Sequence, residues 1–278
     1  MATMKRYRKS NMIMLCIVAA LFLMSPLFPY IRSLVVMSVY SRTCEQESIM
    51  KEENIELKIP GGGATSESDW YPFVMTFTAD DAFARQTGRA GEKLTILYNF
   101  PAFDLAKGCS RLYDEKSLYY NGFYGAYLVQ QADGSPYGFD EAGDLNEEAA
   151  AQVAEFDFFT LVLGDFGLPE SAESFECNIS DTKSDITFVG YDGWTRIEAG
   201  MLVNGAAHEE QQWVQSYLQY GAPNYKTEKP FALVEMKSIV YARYFEEWNS
   251  SIFFYVMAPD EDVCRKCEKE ILAQSILN

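Results

Sequence analysis

Residues 12–31, MIMLCIVAALFLMSPLFPYI, form a run of 20 residues without a charge, and nothing else in the chain restricts its folding as strongly. At about 1.5 Å per helical residue the run reaches roughly 30 Å, the thickness of a bilayer core. Lys5, Arg6, Arg8 and Lys9 precede it, and clustered bases keep their flank in the cytoplasm. The pattern predicts a signal-anchor: a basic cytoplasmic tail over 1–11, a membrane anchor over 12–40 contacting the lipid bilayer through 12–31, and an exported remainder. Pro26 and Pro29 should end the regular helix near Ser25. Val36/Ser38 and Val39/Ser41 loosely satisfy the small-residue rule for leader cleavage. Both pairs lie well beyond the apolar run, and Arg32 intervenes, so retention of the anchor is the preferred reading. Cys16 is no lipidation site, because it sits inside the run behind a bulky Leu15.

Charge divides the chain at Cys44. Six basic residues and no acids lie before it, so the other 17 bases face all 40 acids, a net charge of −23 beyond that point. A body that negative repels phosphate, which excludes nucleic acid as a partner. Hydrophobic residues make up 48% of the chain and aromatics 15%, too apolar for disorder. His208 is the only histidine, which rules out multi-histidine metal sites.

Residues 41–69 read as a tether, charged over 45–56, briefly alternating at Ile55, Leu57 and Ile59, and flexible at Pro60-Gly61-Gly62-Gly63. Residues 70–278 read as one globular domain. Segments 71–78 and 94–100 are strand-like, with a short helix predicted over 80–86. In 118–130, Tyr124 and the pair Phe123/Tyr127 fall on opposite faces, which predicts a strand covered on both sides. Asp144 and Glu147 suggest a capping box for a helix through Val153 and Phe156. Asp192-Gly193 predicts a hairpin turn within 186–203. A helix is expected over 206–220, strands over 231–244 and 252–258, and a last helix over 261–276 capped by Asp260. Consecutive antiparallel strands with interspersed helices give an α+β fold with a mostly antiparallel sheet, a few packed helices and one N-terminal transmembrane helix.

Few residues carry candidate chemistry. Cys264 and Cys267 form a C-x-x-C pair at the start of the final helix, with Asp260, Glu261 and Asp262 just ahead. Those acids raise a thiol's pKa and oppose redox use. The pair shares a face with Ile271, so a structural disulfide between Cys264 and Cys267 is the expectation, with a bridge to Cys109 or Cys177 as the competitor. The acidic doublets would suit a two-carboxylate glycosidase if two of them met in a cleft. The loop over 133–144 partly copies a calcium loop, but Tyr137 stands where an oxygen ligand is wanted. Asn178-Ile179-Ser180 and Asn249-Ser250-Ser251 match glycosylation sequons. His208 falls on the polar side of its predicted helix and reads as solvated surface.

No nucleophile–base pair, metal cluster, phosphate loop or cofactor motif assembles from these residues. The expected function is therefore a non-catalytic cell-envelope domain on a single anchor, binding an unidentified envelope protein or ligand with its aromatic residues as contact anchors. An envelope hydrolase using paired carboxylates and a thiol–disulfide protein using Cys264 and Cys267 are the alternatives.

Overall fold

The computed structural model describes residues 2–25, 27–60, 73–78, 82–99, 103–104, 109–110, 112, 114–140, 142–159, 174–204 and 232–278, as backbone alone over 2–10 and most of 27–38. Its helices are α1 (Ala2–Leu23), α2 (Leu27–Gln46), α3 (Ile49–Glu53), α4 (Ala82–Thr87), α5 (Glu147–Phe158) and α6 (Glu261–Glu270). Its strands are β1 (Leu57–Lys58), β2 (Phe73–Phe77), β3 (Lys93–Asn99), β4 (Phe103–Asp104), β5 (Cys109–Ser110), β6 (Phe123–Gln130), β7 (Phe175–Phe188), β8 (Tyr191–Val203), β9 (Val234–Phe245), β10 (Ser250–Ala258) and β11 (Ile276–Leu277). Seven strands form one sheet in the order β2-β3-β6-β10-β9-β8-β7, and each neighbouring pair is antiparallel. The molecule is α+β with a mostly antiparallel sheet.

Helices cover both faces of that sheet, and strict alternation in the central strands serves both layers. Phe123, Tyr127 and Val129 of β6 and Phe253, Tyr255 and Met257 of β10 face α4 and α5. Tyr124, Ala126 and Leu128, with Ile252, Phe254 and Val256, face α3 and α6. At the centre of β6, Gly125 permits a close approach: a Cβ there would lie 1.8 Å from the Leu97 carbonyl oxygen. The largest fully buried side chains, from Trp194 to Phe254, are all aromatic. The aromatic richness read as contact anchors is thus committed largely to the two cores.

Local capping fixes the helices. Asn146 caps α5 by accepting from the Ala149 N–H, with Glu147 and Glu148 in the first turn, so the cap lies two residues beyond Asp144. Asp260 caps α6 as expected, but the helix ends at Glu270. Residues 276–277 instead leave the helical path and pair with β1, Leu57 opposite Leu277. The predicted hairpin also differs. Its turn is Val189-Gly190, both at positive φ, with Phe188 opposite Tyr191. Asp192 and Gly193 form a bulge one step later, where Gly193 takes φ +79°, and this turns Trp194 into the core at 0% exposure.

At the amino end, α1 stops at Leu23, where the Ser25 N–H and hydroxyl both donate to the Phe22 carbonyl. The chain is helical again from Leu27. Among the described residues, no helix is long and apolar enough to cross a membrane. Residues 41–60, read as a tether, are built into the domain. Ser41 Oγ accepts from the Val74 N–H at 2.9 Å, the Thr76 hydroxyl donates to the Cys44 carbonyl, and the Ile49 N–H donates to Thr95 Oγ1. Ile49, Ile55, Leu57 and Ile59 are buried. A short alternating segment suffices once β11 and the sheet supply its partners. The predicted helix over 206–220, with His208, lies outside the described residues.

Candidate functional site

Two hollows are candidates. The first lies at one end of the sheet, between the approach to β3 (88–93) and the loop after β6 (131–140), with a volume of about 510 Å³. Glycine brings these segments together: Gly91 has φ +87°, and a Cβ there would stand 2.5 Å from Ala132 Cβ. Glu92 lines this pocket and is only 1% exposed. Its Oε2 accepts from the Thr87 hydroxyl. Among the described residues its Oε1 has no hydrogen-bond donor, but it forms an ion pair with the Arg89 guanidinium at 3.7 Å. Burial pushes the Glu92 carboxyl above its ordinary range, against the Thr87 hydrogen bond and Arg89, which pull it down.

Asp133 and Asp140 line the opposite wall, and each fixes its own loop. Asp133 Oδ1 accepts from the Ser135 N–H and hydroxyl, contacts that hold its carboxyl below the usual range. Asp140 Oδ1 accepts from the N–H groups of Ala142 and Asp144, both at 2.9 Å. Tyr137 turns inward and donates its hydroxyl to the Ala149 carbonyl. The calcium-like spacing therefore builds a self-bonded loop, and among the described residues no three potential metal ligands converge.

The second hollow, about 610 Å³, lies between the β7–β9 face of the sheet and the start of α6, and Cys264 borders it. Most of its charges are already paired. Lys237 meets Glu235 at 2.9 Å, and Arg265 meets Glu198 and Glu261 at 3.2 and 2.9 Å. Beside them, Arg196 joins Glu198 and Glu268, each at 2.6 Å. This network fastens α6 to the sheet. Cys264 and Cys267 are free thiols and buried. Burial, then the neighbouring Cys267 and the acids Asp260 and Glu261, push the Cys264 thiol up to about 12, and burial does the same to Cys267. Such thiols carry almost no thiolate at neutral pH, so their setting opposes redox catalysis.

Asp157 is the titratable group that sequence reasoning missed altogether. It is 1% exposed, accepts hydroxyls from Tyr98 and Tyr127, and burial raises its carboxyl to about 7. An acid inside the apolar run FDFF is the signal that marks it. Glu92 had no comparable signal, since GRAGEK reads as ordinary surface loop. Of the sequons, Asn178 is exposed on the edge strand β7. Asn249 instead accepts from the Tyr244 hydroxyl, ahead of the buried Ser250 and Ser251. No family model, curated protein or solved structure matches the chain.

Proposed function

We propose that this chain is a bilayer-anchored extracytoplasmic domain that binds a partner or small ligand without turning it over, its amino terminus in the cytoplasm. The observation that carries the reading is the surface of α1. Met12, Ile13, Met14, Leu15, Ile17, Val18, Leu21 and Leu23 are each more than half exposed, and these positions run round the whole helix. A contiguous apolar surface of this kind, uncovered by protein, calls for an apolar environment. The basic flank supplies the direction, and an exported body bearing a net −23 suits an aqueous compartment.

The non-catalytic part rests on how the described carboxylates and thiols are engaged. Asp133, Asp140 and Glu198 hold loops and helices in place, and Cys264 and Cys267 are sealed. Protease added to intact cells tests the topology. Digestion of residues 45–278, with the amino-terminal fragment spared in the membrane fraction, is the expected result. Protection of the body, with the same protease active after lysis, would overturn it.

A further inference from the structure

We infer that the end of the sheet from which α2 departs rests on the bilayer surface, with Leu118 and Ile276 seated among the lipid headgroups. Given the anchor reading above, the direction of α2 fixes which end that is. Ser41 meets Val74 and Cys44 meets Thr76, so α2 and β2 run the same way along the sheet's edge. Residues 27–40 therefore project past the start of β2, and residues 27–31 belong to the charge-free run.

Strand pairing carries this direction across the sheet. Val74 is level with Leu97, Leu97 with Ala126, and Ala126 with Phe254, so β6 begins at the anchor's end. Phe123 stands three residues past Ala126, about 10 Å along a strand and equal to about seven residues of helix. Counted back from Ser41, that height is near Leu34. It lies about 4–5 Å beyond Ile31, inside a headgroup layer roughly 5–8 Å deep. The loop just ahead of β6 carries Leu118, 62% exposed, followed by Tyr119 and Tyr120, a residue type enriched at membrane interfaces.

β1 reaches the same end, since the Ile59 carbonyl accepts from Asn99 and that of Pro60 from Tyr124. Beside it Ile276, opposite Lys58, is also exposed. So is Leu233, directly ahead of β9, whose start pairs with the end of β10. Outside α1 and α2, these are the large aliphatic side chains left exposed among the described residues. Scattered singly they would need no explanation. Gathered at one end and level with the foot of the anchor, they fit an interface that accepts apolar tips. Glu261 and Asp262 are exposed where α6 begins at this end, so the matching surface is zwitterionic rather than anionic lipid.

The test uses the full chain in phosphatidylcholine vesicles, with p-benzoylphenylalanine replacing Leu21, Leu118, Ile276 or Glu247 one at a time, and ultraviolet crosslinking to lipid as the readout. Lipid adducts are expected at Leu21, Leu118 and Ile276, and none above the unirradiated control at Glu247, in the turn at the opposite end of the sheet. Adducts at Leu21 without any at Leu118 and Ile276 would overturn the docking surface and leave the anchor standing. Absence of adducts at Leu21 would overturn the anchor and the docking surface together. Equal lipid labelling at Glu247, or crosslinks from Leu118 to a second copy of the chain in place of lipid, would also overturn the inference.

Discussion

Asp157 shows how one residue ties stability to pH. It lies on the buried side of α5, where it accepts the hydroxyls of Tyr98 and Tyr127, and Tyr255 stacks on Tyr127 with ring centroids 4.2 Å apart. Burial raises the carboxyl from its ordinary 3.8 to about 7. The native state therefore holds a proton that the unfolded chain releases between those values. The contribution is fully present below about pH 4 and is lost as pH rises towards about 7, at no more than about 1.4 kcal/mol per pH unit. Chemical denaturation of the wild type and Asp157→Asn at a series of pH values checks this. The stability difference between them should change across that interval, and a difference independent of pH would show that Asp157 is ionised throughout.

Among the elements, the sheet's two edges are handled differently. The β2 edge is tied to the end of α2 through Ser41 and Cys44. The β7 edge carries Glu176, Asp181, Lys183 and Asp185, with irregular pairing near Asp181 and Ile186, which discourages pairing with another chain. The smallest element, β11, has a larger role than its two residues suggest. Asn278 and Glu56 exchange reciprocal backbone hydrogen bonds at 2.8 and 3.0 Å, and Leu277 is 3% exposed. Removing 276–278 frees β1 and uncovers a leucine-sized apolar surface, whose burial is worth about 1.5–3 kcal/mol. The truncated chain should lose at least that much stability in urea. An unchanged midpoint would mean that β1 and β11 add nothing to the fold.

At the scale of the whole molecule, one sheet serves two cores. Phe253 and Phe254 are adjacent in β10, yet one packs towards α5 and the other towards α6. Each is almost fully buried, so Phe253→Ala and Phe254→Ala should each cost about 3–5 kcal/mol. Because both layers share β6 and β10, either substitution should lower a single thermal transition. Two resolved transitions in either variant would instead mean that the layers unfold independently.

The sequence alone determined the apolar run and its basic flank, the antiparallel α+β character, the two-faced pattern of β6, the helices near 82–87 and 147–158, and the Asp260 cap. All of these follow from local periodicity, charge or capping chemistry, which neighbouring residues can express without the rest of the fold. Tertiary structure decided the remainder. Residues 49–59 became core because β11 and the sheet met them. Asp192-Gly193 became a bulge because the register that buries Trp194 moved the turn back to Val189-Gly190. The candidate pocket was the least legible part, since Glu92 and Asp133 come from segments 41 positions apart. Gly91 and Ala132 bring those segments together, and the desolvation that sets Glu92 apart exists only after they meet.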